Sequence, residues 1–306
     1  MTGSAKLVFT TVEYHDTPPV EMGSAKADWF SSQIAANLKL SDALVQVVRA
    51  FGVDEMEEGI DVLRDVRLVE DELIFSDLVV LEGRQQRLQK TARVKPLSDE
   101  DKRELELLEH GKVLLEDNKP LRLMELPPED KKRLRGFQFL SEKPLLILVN
   151  GDEHEMKNIE QSLPSIRKEL EGKNADALCL CAKMEQEISE LSEDEQVAFL
   201  ADLGVTEPAL KRVLRASFDL LGLISFFTTG ERETHVWTLR NGQTALEAAG
   251  SIHTDFAQRF IRAEVVSFDD FYAHGGYPGC REKGLLRLEG KDYIVKDGDV
   301  VLIRHN

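Results

Sequence analysis

The stretch Pro144-Leu145-Leu146-Ile147-Leu148-Val149-Asn150-Gly151-Asp152-Glu153 decides how the chain reads. Apolar, partly β-branched residues follow a proline and stop at a polar cluster. That pattern predicts a short buried strand, of the kind found in parallel sheets, ending in a loop. In open α/β sheets ligands sit beyond the carboxyl ends of the strands, so Asn150 and Glu153 stand where a site is expected. Asn150 carries a donor and an acceptor, and an ionised Glu153 only accepts, a pair able to read the edge of a heterocyclic base. Asn-Gly is also a turn dipeptide in its own right, so a plain solvated turn is the competing reading.

Working outward, strands and helices alternate on both sides. Leu7 to Tyr14 reads as a strand that breaks at His15-Asp16-Thr17-Pro18-Pro19. Asp28 to Lys39 reads as a helix and Asp42 to Arg49 as a second β-branched strand. Downstream, a helix spans Glu155 to Glu171 despite Pro164, a strand spans Ala177 to Cys181, and three helices cover Lys183–Leu191, Glu193–Leu203 and Lys211–Leu221. Such alternation predicts an α/β parallel-sheet domain. Between about Ile60 and Lys119 the character changes. Leu63, Val66, Leu73, Leu78, Leu81 and Leu88 recur at helical spacing, Lys95-Pro96-Leu97 breaks the run, and Ser98 caps a second helix carrying Leu105, Leu108 and Leu115. Two amphipathic helices around one turn predict an antiparallel hairpin, a shape suited to docking a protein partner. A short helix beginning at Pro127-Pro128 follows.

Of the 306 residues, 39 are Lys or Arg and 56 are Asp or Glu, a net charge of −17 that disfavours indiscriminate binding to DNA or to an anionic membrane. The three cysteines, Cys179, Cys181 and Cys280, are too few for a disulfide framework and lack the second pair a zinc site needs, so no metal site is expected. No segment is apolar enough for a signal peptide or a membrane span, and a cytoplasmic location is expected. The last 85 residues differ from the rest, holding 10 of the 20 aromatics and a net charge of only −2. Strands at Val236–Leu239, Ala263–Val266, Leu286–Leu288 and Val300–Arg304 around a short helix at Thr244–Ala249 predict a small mixed domain of β-grasp type.

That region carries a specific resemblance. Phe226-Phe227-Thr228-Thr229-Gly230, Val236-Trp237-Thr238-Leu239-Arg240-Asn241-Gly242, Ala248-Ala249-Gly250-Ser251-Ile252-His253-Thr254-Asp255-Phe256 and Gly290-Lys291-Asp292-Tyr293-Ile294-Val295-Lys296-Asp297-Gly298-Asp299 resemble, in order, the C-terminal TGS domain of the YchF/Obg-like ATPase family. Val48-Arg49-Ala50-Phe51, Asp65 to Leu73 and Phe137 to Glu153 extend the resemblance upstream. It implies an incomplete P-loop NTPase (G-domain-like) parallel sheet over residues 1–59 and 123–221, a helical coiled-coil insertion at 60–122 and a β-grasp TGS domain at 222–306. Asn150-Gly151-Asp152-Glu153 then matches the base-recognition motif Asn-x-x-Glu, whose Glu goes with relaxed specificity and a preference for ATP. Cys181-Ala182-Lys183 matches the base loop, with Cys for the usual Ser. By the same resemblance Asn150 ties neighbouring loops together and Glu153 faces the base edge.

The chain also departs from the family. Asp16-Thr17-Pro18-Pro19 stands where Asp-x-x-Gly is expected, and Pro19 has no backbone N–H to offer a γ-phosphate. Only Gly23 remains of the glycine-rich loop that should follow. No Gly-x-x-x-x-Gly-Lys-Ser/Thr occurs anywhere among the 306 residues. That loop supplies the N–H cradle, the lysine on the β- and γ-phosphates and the hydroxyl on Mg²⁺. The expectation is a non-catalytic or weak nucleotide-binding protein, ATP or GTP with Mg²⁺ being its cofactor if a phosphate loop is restored. The alternative is an ATP/GTP hydrolase whose phosphate loop is missing from this sequence. The family's association with ribosomes implies a ribosome or RNA partner, with Arg240, Arg259 and Arg262 the candidate contacts in the TGS domain.

Overall fold

The structure, a computed structural model, describes residues 6–18, 32–52, 60–154, 156–202, 205, 207–230 and 232–306. The chain forms two compact units, Met1–Tyr14 with Leu221–Asn306, and His15–Leu220.

β1 (Lys6–Val8) opens the chain. The α/β unit then runs α1 (Ser32–Leu40), β2 (Leu44–Ala50), α2 (Val62–Ala92), α3 (Asp99–Glu116), α4 (Pro128–Leu134), β3 (Leu145–Gly151), α5 (Met156–Leu170), β4 (Ala175–Leu180), α6 (Ala182–Ser189), α7 (Glu193–Asp202) and α8 (Ala209–Leu220). Among the described residues its sheet has three strands in the order β2-β3-β4, all parallel. The central strand is the apolar run Leu145 to Val149. Leu145, Ile147 and Val149 are at most 1% exposed and pack with Val48, Ile159, Ile166 and Cys179. Each such side chain contributes roughly 1.5–3 kcal/mol by leaving water. Leu146, on the opposite face, packs on Val213 and Ala216 of α8. Burial on both faces is why the strand reads as an unbroken apolar run.

α2 serves two cores. Val66 and Leu73, near its start, belong to the core under the sheet, whereas Ile74, Leu81 and Leu88 meet Leu107, Leu108 and Leu115 of α3. The two helices run antiparallel, with Arg84 paired to Glu104 at 2.6 Å and Lys112 to Glu82 at 2.6 Å. Gly111 lets α3 approach closely, since a Cβ there would stand 3.2 Å from Leu121 and 3.3 Å from Leu81. Ser98 caps α3 as its position suggests, accepting the Asp101 N–H at 3.1 Å. Asp77, 1% exposed in the middle of α2, accepts the backbone N–H groups of Leu140 (2.8 Å) and Ser141 (2.7 Å) and the Ser141 hydroxyl (2.6 Å). It thereby fastens the hairpin to the segment that leads into β3.

The C-terminal unit comprises β5 (Leu223–Thr229), β6 (Glu233–Arg240), α9 (Ala245–Ile252), α10 (Thr254–Gln258), β7 (Phe260–Ser267), α11 (Phe268–Ala273), α12 (Tyr277–Glu282), β8 (Arg287–Glu289) and β9 (Asp299–His305). With β1 these strands form one mixed sheet in the order β1-β6-β5-β9-β7-β8. Ala245, Ala248 and Ala249 of α9, all fully buried, pack on one face against Phe226, Leu239 and Val265. Thr244 and Glu247 close a capping box at the start of α9.

Two expectations change. The strand read at Leu7 to Tyr14 shortens to Lys6–Val8, and it does not join the nucleotide-type sheet. It pairs in parallel with β6, Leu7 opposite Thr234, so residues 6–14 fall with the C-terminal unit rather than within a domain spanning 1–59. An alternating pattern predicts a strand without naming its partner. The strand expected at Ala177 to Cys181 instead covers Ala175–Leu180, and Cys181 becomes the N-cap of α6. Pro19, Gly23 and residues 28–31 of the expected helix lie outside the described residues.

Candidate functional site

Three parallel strands end side by side. Arg49 of β2, Asn150 of β3 and Leu180 of β4 are neighbours in register, and the chain after each leads into a loop or helix. Asn150 is the last side chain before Gly151. A Cβ at Gly151 would lie 2.1 Å from the Ile159 Cδ1 atom, so only glycine lets α5 pack this closely on the strand end. That packing sets where the loop leaves the sheet. Asp152 then closes an Asx turn by accepting the His154 N–H at 3.0 Å.

Asn150 Oδ1 accepts the backbone N–H of Ala182 at 3.0 Å. The bond joins the end of β3 to the first turn of α6 and uses one of the N–H groups that a helix start leaves without an intrahelical partner. It leaves the Asn150 amide NH₂ as the donor for a ligand. Cys181, the N-cap, makes no side-chain cap bond and is 6% exposed. A serine there would cap the helix, whereas the thiol behaves as a small buried apolar group. Glu153 and Lys183 are exposed on the two loops that Asn150 connects.

Arg49 enters the sequence reading as the end of a strand and within a longer resemblance, not as a site residue, yet its register puts it beside Asn150. Its Nε donates to the Phe51 carbonyl at 3.1 Å, and the guanidinium lies 4.9 Å from the Phe51 ring centroid. The sequence signal is a single Arg at the end of an apolar strand followed by an aromatic.

The phosphate side is different. Asp16 is exposed in a stretch without regular structure, and Pro19 lies outside the described residues. Among the described residues no three His, Cys, Asp or Glu side chains converge to hold a metal ion. The described residues at the strand ends carry donors and acceptors of the kind a base edge pairs with.

Burial raises the Asp77 carboxyl to about 6 against the pull of its three hydrogen bonds. Nearby, Arg122 is 1% exposed in its side chain, sits 2.8 Å from Glu70 and donates to the Lys143 carbonyl at 2.9 Å. Both groups lie at the base of the hairpin and hold it to the sheet.

In the C-terminal unit Arg240, Arg259 and Arg262 are all exposed, but they do not form one patch. Arg240 lies opposite Leu223, four residues before Phe227, which pairs with Val300; Arg262 lies opposite Arg304, four residues beyond Val300. At about 3.3 Å per residue the two are roughly 26 Å apart along the strands. Arg259 ends α10 and stays near Arg262, where Phe256 stacks on His305 at 4.3 Å. Arg304, beside them, is engaged by Glu264 at 2.9 Å.

Residues 223–306 match the family model YchF-GTPase_C, described as a protein of unknown function (DUF933). Along nearly its whole length the chain is similar to the ribosome-binding ATPase YchF of Bacillus subtilis, at 38% identity over 98% of this chain and 83% of that protein. The protein of the same name from Escherichia coli O157:H7 is 37% identical over 95% of this chain and 80% of its own. Among solved structures, the YchF GTPase of Schizosaccharomyces pombe superposes with a TM-score of 0.78 at 27% identity, over 89% of this chain and 75% of that one. A GTP-binding protein from Pyrococcus horikoshii shares the fold, with a TM-score of 0.56 at 19% identity.

Proposed function

The chain belongs to the YchF family, and on that premise we propose that it reads a purine base at the β3 loop, associates with the ribosome, and within these 306 residues binds nucleotide without hydrolysing it. The tie between Asn150 and Ala182 carries this reading, because it joins the two loops that a base-recognition motif brings together. Asn150 NH₂ donates to a ring nitrogen or carbonyl of the base. Glu153 faces the base edge, and Lys183 flanks its plane. A glutamate in place of the aspartate found in guanine-specific sites supports tolerance of adenine.

Phosphoryl transfer depends almost wholly on positioning and on electrostatic stabilisation of the phosphates. Without the Gly-x-x-x-x-Gly-Lys-Ser/Thr loop, and with Pro19 in place of an N–H donor, these residues supply little of either. Ribosome association rests on the relatives, which carry the name ribosome-binding ATPase. The exposed end of the C-terminal sheet bearing Arg259 and Arg262 is the surface we assign to it.

A second reading keeps hydrolysis. It is favoured by the relatives' name and requires the phosphate loop to come from residues outside the present sequence. The two readings part in one experiment. Purified protein of this sequence should show no Mg²⁺-dependent ATP or GTP turnover above background. Calorimetric titration should give similar affinities for adenosine and ATP. Turnover that disappears on changing Asn150, or a large gain from the phosphates, overturns the binding-only reading.

A further inference from the structure

Side chains along β7 alternate between the two faces of the C-terminal sheet. Ala263 and Val265 enter the core under α9, whereas Val266 enters the cluster that Phe271 of α11 and Cys280 of α12 build on the other face. Arg262 and Glu264 precede Val266 on that second face. The antiparallel register with β9 sets Arg262 directly opposite Arg304, and Glu264 opposite Leu302. Opposed residues hold their Cβ atoms about 4.5–5.5 Å apart, and like charges placed so destabilise a sheet. Two facing arginines therefore need a local reason.

A carboxylate beneath them gathers a third. Glu264, only 7% exposed, accepts from Arg304 Nε at 2.9 Å and from Arg281 Nη2, on α12, at 3.3 Å. Each bond uses one of the five donors of a guanidinium and leaves the others for a ligand. The Arg304 and Arg281 side chains stay 47% and 64% exposed. Arg262 is exposed too, and among the described residues it makes no ion pair or side-chain hydrogen bond. Three guanidinium groups thus stand on one face around a single buried carboxylate.

We propose that Arg262, Arg304 and Arg281 form a phosphate-binding row whose ligand is the backbone of single-stranded RNA, an inference that rests on the ribosome association proposed above. An anion seated between Arg262 and Arg304 relieves their repulsion, so the pair is completed by its ligand. Guanidinium forks match phosphate oxygens two at a time. Three cations in succession suit a chain of phosphates rather than one, and a positive track along the backbone is how single strands are held without regard to sequence. A net charge of −17 opposes RNA binding in general, so a local row of this kind decides where RNA touches. Glu264 is a positioning residue. It meets no phosphate, and its two bonds fix where Arg304 and Arg281 stand.

Fluorescence anisotropy of the full chain with a short oligouridylate tests this, alongside ribosome co-sedimentation. Log affinity should fall against log salt with a slope of roughly −2, as three neutralised phosphates give on a single strand. Arg304→Ala and Arg281→Ala should each lower affinity about fivefold and take about 0.7 from that slope. Arg262→Ala should do the same without lowering the melting temperature, because it removes a repulsion and no bond. Glu264→Gln makes the face more positive and should still weaken binding, since two arginines lose their shared anchor; tighter binding removes the positioning role. Arg240→Ala, at the other end of the sheet, should bind as the unaltered chain does. No binding of the oligomer, or arginine variants that bind it as well as the unaltered chain, overturns the proposal. Displacement of the oligomer by micromolar pyrophosphate also overturns it, by making the ligand a small phosphorylated molecule. Oligomer binding that follows these expectations while the unaltered chain fails to co-sediment with ribosomes supports the row and refutes the ribosome reading instead.

Discussion

Asn150 Oδ1 holds the backbone N–H of Ala182 at 3.0 Å, a bond made 32 residues along the chain between the end of one strand and the start of the helix that follows the next. The acceptor half of the amide is spent on structure and the donor half is left for a ligand. The two halves separate experimentally. Asn150→Asp keeps the acceptor for Ala182 and loses the donor, so the melting temperature should hold within a degree or two while adenosine affinity falls about tenfold. Asn150→Ala should lose both, costing about 1 kcal/mol of stability as well. Calorimetric titration alongside thermal melts checks both; if Asn150→Asp binds adenosine as tightly as the unaltered chain, the donor role is wrong.

Gly151 makes a second test of how the loop is set. Adding a methyl places a carbon 2.1 Å from Ile159 Cδ1, so Gly151→Ala should destabilise the α/β unit by about 1–3 kcal/mol, as overpacking does. Ile159→Val removes the clashing atom. The double variant should therefore regain more stability than Ile159→Val loses on its own, which a double-mutant cycle in urea measures.

Asp77 predicts a pH dependence of definite sign. Its folded value is raised from 3.8 to about 6, so between those values the folded chain keeps a proton that the unfolded chain has released. Its contribution to stability therefore falls as pH rises from about 4 to 6, by about 3 kcal/mol in all, and is flat above. Other carboxylates act in the opposite sense, among them Glu264, which Arg304 holds below its usual range. The quantity to measure is thus the difference between the unaltered chain and Asp77→Asn, in urea unfolding at pH 4.5 and pH 7. Relative to the variant, the unaltered chain should be more stable at the lower pH, and a difference that does not change with pH contradicts the burial effect.

What could be read in advance follows from how each signal arises. Leu145 to Val149 is legible because both faces of the central strand are buried, which leaves an unbroken apolar run, and Ser98 is legible because capping is a local event. Leu223 to Thr229 carries part of the resemblance but does not read as a strand. Phe226 and Phe227 are adjacent because one packs on Trp237 and the other on Phe268, on opposite faces, which erases the alternation. The partner of Leu7 is illegible for another reason, since pairing 227 residues away leaves no mark in a three-residue strand. At the site, Asn150 is legible as the polar end of the apolar strand, Cys181-Ala182-Lys183 comes from the resemblance, and the structure joins Asn150 to Ala182. Gly151 looks like a turn residue, and its real constraint, the nearness of Ile159, depends on how a helix seats in three dimensions. Arg240, Arg259 and Arg262 are candidates by charge alone, and only strand register says at which end of the sheet each lies.

Strand register also separates these arginines experimentally. If the sheet end near Arg262 faces ribosomal RNA, replacing Arg259 and Arg262 together with alanine should lower ribosome co-sedimentation markedly. It should also reduce the slope of log affinity against log salt by up to about 2, one for each phosphate no longer neutralised. Arg240→Ala, roughly 26 Å away along the strands, should leave both quantities unchanged. All three arginines are exposed, so none of the changes removes core packing and thermal melts should coincide. Equal losses from the two sites would mean that the unit binds through a broad face rather than one end. A loss from Arg240→Ala alone would move the binding surface to the opposite end, near Leu223, where the chain enters the sheet from α8.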